Sequence, residues 1–251
     1  MKWRLIPFSE QSAALNMAID ESVMEHVREG KSPPTMRLYT WNPTAVTIGT
    51  FQCRADEVDL NEAKKLGVDV VRRMTGGGAV YHDRQGEITY SIIAPEELFE
   101  RDIQESYMQI CRFIVDALKG LGINAIFKPV NDIIVDSKKI SGNAQTRRSG
   151  ILVQHGTVLY DVDVDRMFSL LKVDKVKVSD KFVQSVKKAV TSVKQQNPGV
   201  TKQQVIDAMT KSFTAGKDFE MGKLSEYELE RAAILAKEKY SSEEWNNCRL
   251  L

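Results

Sequence analysis

The residues best equipped for chemistry in this chain fall into a few short runs. Three consecutive glycines, Gly76-Gly77-Gly78, follow Arg72 and Arg73 and lead into Ala79-Val80-Tyr81-His82-Asp83. Glycine permits positive φ and leaves main-chain N–H groups bare, so an anion can approach closely. The two arginines would add phosphate-directed charge. No Lys-Ser or Lys-Thr follows a spaced glycine pair, so this is not a P-loop. The strand-like Ala79-Val80-Tyr81 comes next instead of a helix, so the dinucleotide fingerprint fails too. A tight turn or bulge explains the glycines equally well. His82-Asp83 reads either as an oriented imidazole or as a structural hydrogen-bonding pair, the commoner case, because a catalytic dyad needs a nucleophile the sequence does not place.

A second run, Asn131-Asp132-Ile133 through Lys138-Lys139-Ile140-Ser141-Gly142-Asn143-Ala144-Gln145, has the pattern of a hairpin turning at Asp136-Ser137. Period-2 alternation places Lys139, Ser141 and Asn143 on one face, with Lys138 and Ile140 on the other. A lysine there would neutralise a carboxylate and a phosphate brought together, although a solvated strand lysine is the commoner case. His155-Gly156-Thr157 interrupts an apolar strand, marking a close backbone approach, a bulge or a satisfied strand histidine.

Composition narrows the classes. Lys+Arg number 35 and Asp+Glu 34, a formal charge of +1, which gives no support to general nucleic-acid binding. Hydrophobic residues at 42% and charged residues at 27% exclude a disordered or fibrous chain. Cys53, Cys111 and Cys248 are odd in number and widely spaced, so neither a disulfide framework nor a zinc knuckle fits, and a reducing compartment is the simpler reading. Cys53 has no histidine nearby in sequence and reads as an inert thiol. No cluster has metal-ligand spacing. The start, MKWRLIPFSEQSA, lacks an apolar leader core, and nowhere do 18 apolar residues run together. The expectation is a cytoplasmic protein without a membrane partner.

The elements that must position these residues alternate irregularly. A strand near Trp3–Ile6 precedes a helix from about Ser12 to Arg28, with Leu15, Ala18, Ile19, Val23 and Met24 at helical spacing. Strands follow at Met36–Tyr39 and Ala45–Ile48, a helix at Asp59–Leu66, and strands at Val68–Arg73 and Glu87–Ile93. Asp102–Leu121 is an amphipathic helix. Strands at Ala125–Lys128, Asp132–Val135, Lys138–Ala144 and Ile151–Leu159 lead to a polar helical tail. Capping boxes are expected at Thr201/Gln204 and Ser225/Glu228. Clustered strands and helices predict an α+β fold with mixed or antiparallel sheets in one domain over 1–251, helical from about 200 onward.

The order of the motifs resembles one family. Asn16-Met17-Ala18-Ile19-Asp20-Glu21, Val46-Thr47-Ile48-Gly49-Thr50-Phe51-Gln52, the arginine-glycine run, the Asn131 and Lys139 segments, His155-Gly156-Thr157 and Glu243-Glu244-Trp245-Asn246 together resemble the catalytic domain of lipoate–protein ligases. The resemblance implies a biotin/lipoate-ligase-like fold whose largely antiparallel sheets are flanked by helices. It implies a two-step reaction: lipoate and ATP with Mg²⁺ give lipoyl-AMP and pyrophosphate, then the acyl group passes to a carrier lysine. The carriers would be an E2 lipoyl domain or the glycine-cleavage H protein. Lys139 matches the family's motif lysine and is the implied catalytic residue; Arg73 and Gly78-Ala79-Val80-Tyr81 match its nucleotide loop. The implied ATP and lipoyl-AMP site comprises Arg72, Arg73, Gly76, Gly77, Gly78, Ala79, Val80, Tyr81, His82, Asp83, Asn131, Asp132, Lys139, Gly142, Ala144, His155, Gly156 and Thr157. Mg²⁺ would travel with ATP, no metal being held by the protein alone. Val46, Ile48 and Val80 are the expected lining of an apolar slot for the dithiolane.

Three departures qualify the resemblance. The related octanoyltransferases carry a catalytic cysteine shortly before the motif-lysine strand; Gly122 to Asp136 has none, which favours the ATP-dependent ligase over a transferase acting between carriers. The chain stops five residues after Asn246, so a separate small accessory subunit is expected. The family's Arg-Val pair after its Ser-Val motif reads Ala189-Val190 here. A catalytically silent binding subunit and a biotin ligase are the remaining rivals; the intact Lys139 and glycine run oppose the first, and the Lys-Lys-Ile-Ser-Gly pattern opposes the second.

Overall fold

The first helix starts where the sequence provides a cap: the Ser12 side chain accepts from the Leu15 N–H. The computed structural model describes residues 1–172 and 188–247; Ser185-Val186 and Cys248 lie outside the described residues. In chain order the elements are β1 (Trp3–Gln11), α1 (Ala13–Arg28), β2 (Thr35–Trp41), β3 (Ala45–Ile48), α2 (Arg54–Glu57), α3 (Leu60–Lys65), β4 (Asp69–Arg72), β5 (Val80–His82) and β6 (Glu87–Pro95). Then come α4 (Ile103–Gly120), β7 (Ile126–Lys128), β8 (Asp132–Val135), β9 (Lys138–Arg148), β10 (Ile151–Leu159) and α5 (Val164–Leu170). The last are α6 (Val193–Gln196), α7 (Lys202–Thr214), β11 (Phe219–Met221), α8 (Glu226–Leu235) and α9 (Glu243–Asn246). Both expected capping boxes form, Thr201 with Gln204 at α7 and Ser225 with Glu228 at α8. Gln195 and Gln196 end the short helix α6.

The larger sheet has the order β11-β1-β2-β6-β10-β9-β8-β7, and the smaller β4-β3-β5. β1 runs parallel to both β11 and β2, and every pairing from β2 across to β7 is antiparallel. In the smaller sheet β3 is parallel to β4 and antiparallel to β5. This is the α+β, mixed and largely antiparallel arrangement that the element order predicts.

Three apolar clusters hold the layers together. The apolar face of α4, with Ile110, Ile114 and Leu118, packs with Phe213 of α7 onto Tyr90 and Ile92 of β6. Helix α1 buries Met17, Ile19 and Val23 beside Tyr39, Trp41 and Val153, and is covered by Leu235 and Tyr240. Val46, Ile48 and Tyr81 of the small sheet pack on Leu159 and on Leu170 of α5. Each fully buried side chain of this size contributes roughly 1.5–3 kcal/mol. No helix among the described residues is long and apolar enough to cross a membrane.

Two local features set the geometry of the central strands. The β8–β9 hairpin turns through Asp136 at φ 49° and Ser137 at φ 65°, as expected. The ladder then slips: Ile134 pairs with Lys139 but Ile133 pairs with Ser141, leaving Ile140 as an extra residue.

Candidate active site

The large sheet, the small sheet and α1 enclose a cavity. Its polar wall comes from Arg73 and Gly77 of the glycine run, His82, Asn131, Lys139 and the β10 segment His155-Gly156-Thr157. Val80, Gly142 and Ala144 complete the expected residues that line it. Met17, Tyr39, Trp41, Thr47, Thr89 and Asn143 also line it, and the sequence reading did not assign them to a site. Their signal was present but ambiguous, because an aromatic in a strand is usually core. The apolar slot is therefore built from Met17, Tyr39, Trp41 and Val80. Val46 and Ile48, expected there, lie in the small-sheet core instead.

Lys139 reaches the cavity by a different route from the one alternation predicts. The extra residue at Ile140 breaks the period, so Lys139 shares a face with Gly142 and not with Ser141 and Asn143. A Cβ on Gly142 would meet both Cε and Nζ of Lys139 at 2.7 Å, so the missing side chain is what lets the lysine lie across the strand. Lys139 Nζ is 2.6 Å from Asp132 Oδ1, and both groups are partly open to solvent. The main chain of Lys139 is held as well. Its N–H donates to Ala189 O at 2.7 Å, and its carbonyl accepts from Thr191 N at 2.9 Å. The Ala189-Val190 pair therefore meets the motif lysine through backbone, and its departure from the family pattern removes a side chain beside that lysine.

Arg73 is buried, 4% exposed, and no carboxylate lies within ion-pair distance of it among the described residues. All five of its N–H groups are used. Nε donates to Thr75 Oγ1 (3.1 Å), Nη1 to Thr47 O (3.3 Å) and Oγ1 (3.1 Å), and Nη2 to the carbonyls of Gly76 (2.6 Å) and Gly78 (2.8 Å). Burial of the guanidinium without a counter-charge lowers its pKa to about 10. Gly77, at φ +91°, is the one residue of the glycine run that needs to be glycine for its backbone; a Cβ would also meet Arg73 Nη2 at 3.0 Å. Gly49 packs directly beneath it, and a Cβ on Gly49 would overlap the Gly77 carbonyl oxygen.

Two histidines stand behind this arginine. His82 Nε2 is 2.9 Å from Thr47 Oγ1, and its Nδ1 is 3.1 Å from Glu87 Oε1. Its ring stacks on Trp41 at 4.1 Å. His155 Nε2 is 2.7 Å from Thr75 Oγ1, and its Nδ1 is 3.5 Å from Asp20 Oδ2. Burial holds His155 below the usual histidine range. Burial pushes Asp20 up, but Arg37 at 2.6 Å and His155 outweigh it and keep the carboxylate low. Gly156 marks a close approach: a Cβ there would meet Tyr90 Cε1 at 2.7 Å.

Several expected site residues do other work. Arg72, read as phosphate-directed, is fully buried and spends its guanidinium on the carbonyls of Gly49, Thr50, Gln52, Trp245 and Asn247. Strand alternation sends it to the side opposite Arg73, so it clamps the chain and does not reach the cavity. Tyr81 faces the small-sheet core, and Ala79 packs against the same cluster. Asp83 Oδ1 accepts from the N–H groups of Gln85 and Gly86, which makes it a turn former. Asp132 pairs with Lys139, and Gly76 and Gly78 contribute carbonyls to Arg73. Cys53, read as an inert thiol, is disulfide-bonded. Cys111 is free and buried, with burial raising its pKa to about 12. No group of three or more His, Cys, Asp or Glu gathers to hold a metal among the described residues.

The chain can now be set beside known proteins. A family model described as the lipoyl protein ligase A/B catalytic domain matches residues 12–214. The octanoyltransferase LipM of Brevibacillus brevis is 34% identical over 273 residues, spanning 98% of each chain. Among solved structures, a bi-partite lipoate protein ligase of Thermoplasma acidophilum, studied with its E2 lipoyl domain, superposes with a TM-score of 0.88 at 32% identity, over 98% of this chain and 96% of that one. A lipoate-protein ligase A bound with ATP gives a TM-score of 0.85 at 30% identity, over 98% of both chains. A cavity whose cations, bare glycine backbone and apolar slot suit an acyl acid and a phosphate thus sits in a fold shared with ligases and transferases alike: the chain belongs to the lipoyl protein ligase A/B catalytic-domain family and is an enzyme that handles lipoate or octanoate groups.

Proposed function

We propose that this chain is an ATP-dependent lipoate–protein ligase. The observation that carries the reading is Arg73, a buried cation without a carboxylate partner, which shares one cavity with the Lys139 ammonium and the bare Gly77 backbone. A buried uncompensated charge is costly, and an anionic ligand offsets that cost. Lipoate's carboxylate oxygen attacks the α-phosphorus of ATP, pyrophosphate departs, and lipoyl-AMP forms. The amine of a carrier lysine then attacks the acyl carbonyl, loses a proton, and AMP departs. Both anions of the first step crowd one point, so Lys139 is the catalytic residue, stabilising the charge that develops between them. Asp132, 2.6 Å from that ammonium, aims it until substrate displaces it. The chain supplies no covalent nucleophile; holding the carrier amine against the mixed anhydride gives most of the second step's gain. Mg²⁺ enters as the counter-ion of ATP. An E2-type lipoyl domain is the acceptor, as for the Thermoplasma relative, whose bi-partite make-up also supports a separate small subunit.

A second reading is octanoyl transfer between carriers without ATP, and the curated LipM relatives support it across nearly their whole length. That route stores the acyl group on an activated thiol. Against it, no cysteine among the described residues lines the cavity, Gly122 to Asp136 contains none, and burial makes Cys111 a poor thiolate. Lipoate-dependent exchange of labelled pyrophosphate into ATP decides between the readings. Exchange by the purified chain supports ligation. Octanoylation of a carrier domain from an octanoyl-carrier donor in the absence of ATP, seen by mass spectrometry, would replace it with transfer.

A further inference from the structure

The hydrogen bonds around Arg73 have a direction that can be worked out from its chemistry alone. A guanidinium only donates, so the hydroxyl oxygens of Thr75 and Thr47 must accept from it. Each threonine has one hydrogen left to place. The group facing it is a ring nitrogen, His155 Nε2 at 2.7 Å from Thr75 and His82 Nε2 at 2.9 Å from Thr47. An unprotonated Nε2 gives each hydroxyl hydrogen an acceptor, and this tautomer puts the ring proton on Nδ1. Each Nδ1 faces a carboxylate: His82 is hydrogen-bonded to Glu87 at 3.1 Å, and His155 lies 3.5 Å from Asp20, close enough for charge but outside hydrogen-bond geometry. Two carboxylate–histidine–threonine chains, starting on different elements, converge on two different nitrogens of one arginine. Asp20 and Glu87 are in turn fixed, Asp20 by Arg37 and Ser91, Glu87 by Thr89.

We infer that these chains are positioning relays: Thr75 with His155, and Thr47 with His82, lock the rotation of the Arg73 guanidinium and, through it, the Gly76 and Gly78 carbonyls that shape the cavity wall. Neither threonine hydroxyl need touch a ligand. If either histidine carried a second proton, its Nε2–H would point at the threonine and the hydroxyl hydrogen would lose its acceptor. A second cation would also stand near an arginine that already lacks a counter-charge. The burial that keeps His155 neutral is thus matched to the acceptor role its Nε2 has to play.

For its functional arm the inference rests on the cavity's being an acyl-adenylate site, so the test has an arm that does not. In the first arm, the ¹⁵N Nε–H resonance of Arg73, assigned by its loss in Arg73→Lys, is followed in the ligand-free protein. Wild type and Thr75→Ser should give one sharp, slowly exchanging signal, and Thr75→Val and His155→Leu should broaden it or speed its exchange. An unchanged signal in both variants overturns the relay whatever the cavity binds. In the second arm, a non-hydrolysable octanoyl-sulfamoyl adenosine is titrated by calorimetry, with melting temperatures measured alongside. Thr75→Val should weaken binding on the order of tenfold, the scale of one hydrogen bond to a charged group, and Thr75→Ser should restore it. Thr75→Val and His155→Leu together should cost no more than either alone, whereas Thr75→Val and Thr47→Val should multiply. Multiplicative losses for Thr75 with His155, or full affinity in Thr75→Val, overturn the inference. No binding by the wild type would instead count against the adenylate reading and leave the resonance to decide the relay.

Discussion

The guanidinium of Arg72 gathers carbonyls from residues 49–52 and from Trp245 and Asn247 near the far end of the chain, whereas that of its neighbour Arg73 gathers the carbonyls of its own glycine loop at the cavity. Both are buried, and both donate to several backbone carbonyls. The clamp around Arg72 is completed by Asn246 Oδ1, which accepts from the Arg72 N–H at 2.7 Å, and by Trp245 Nε1, which donates to the Arg72 carbonyl at 2.9 Å. Strand alternation divides one charged pair into a fastener and a site residue. Partners at Trp245 to Asn247, more than 170 residues away, mark the fastener; carbonyls of the arginine's own loop, with a cavity beyond them, mark the site.

The largest expected effect is on the fastener. Arg72→Ala takes the donor from six carbonyls, that of Asn246 among them, and should cost about 3–5 kcal/mol of stability, read by urea unfolding. Activity per folded molecule should fall less than in Arg73→Ala. Arg73→Ala should show the opposite balance, losing ligand affinity out of proportion to its melting temperature. If both variants lose stability and binding in equal measure, the division between the two regions is wrong.

Next comes the cavity's own chemistry. Lys139→Ala should lower the rate of lipoate-dependent pyrophosphate exchange by a factor of about 10²–10³, or 3–4 kcal/mol, with little change in fold. Lys138→Ala should be mild, since Lys138 is exposed at the start of the strand. Equal losses would refute the placement of Lys138 and Lys139 on opposite faces.

Acid should weaken the C-terminal side first. Burial pushes Glu228 up, but hydrogen bonds from Arg4, at 2.5 and 2.8 Å, and from Ser225 bring its pKa down to about 2. A depressed carboxylate stabilises the fold above its unfolded pKa near 4.5, and the contribution is lost as pH falls from there through about 2. The loss amounts to roughly 3 kcal/mol. Glu228→Gln should flatten the acid limb of the stability profile over that window, and an unchanged profile would show that the pair is not responsible.

The smallest contrast lies within the glycine run. Gly77→Ala should cost about 1–2 kcal/mol through its positive φ and disturb Arg73. Gly78→Ala, with open space at its Cβ, should stay within about 0.5 kcal/mol. Calorimetric binding and thermal melts of the two variants, side by side, check this.

What could be read from the residues followed the strength of local signals. Ser12, Thr201 and Ser225 announce helix starts, and β-branched runs announce β4, β6 and β10, because caps and alternation act within a few residues. The glycine run, the hairpin turn and Lys139 were legible for the same reason. Asn16 and Asp20 stood out as part of a motif, but their buried role did not: a polar pair in a helix normally faces water, and only the tertiary fold puts Arg37, Tyr39, Ser91 and His155 around Asp20. The slipped register at Ile140 was equally hidden, since a bulge depends on the partner strand. Arg72 was misassigned because its partners Trp245, Asn246 and Asn247 lie more than 170 residues away, a separation that spacing along the chain does not encode.

The bare contact between Gly49 and Gly77 joins these two regions into one mechanism. Residue 49 gives its carbonyl to Arg72 while its Cα backs the loop that Arg73 holds. With no side chain between them to yield, a displacement on one side is carried to the other at nearly full amplitude. Slack introduced where Trp245 and Asn246 are fastened should therefore reach the cavity wall as a change in its shape, and position 49 should be closed to every other amino acid, alanine included.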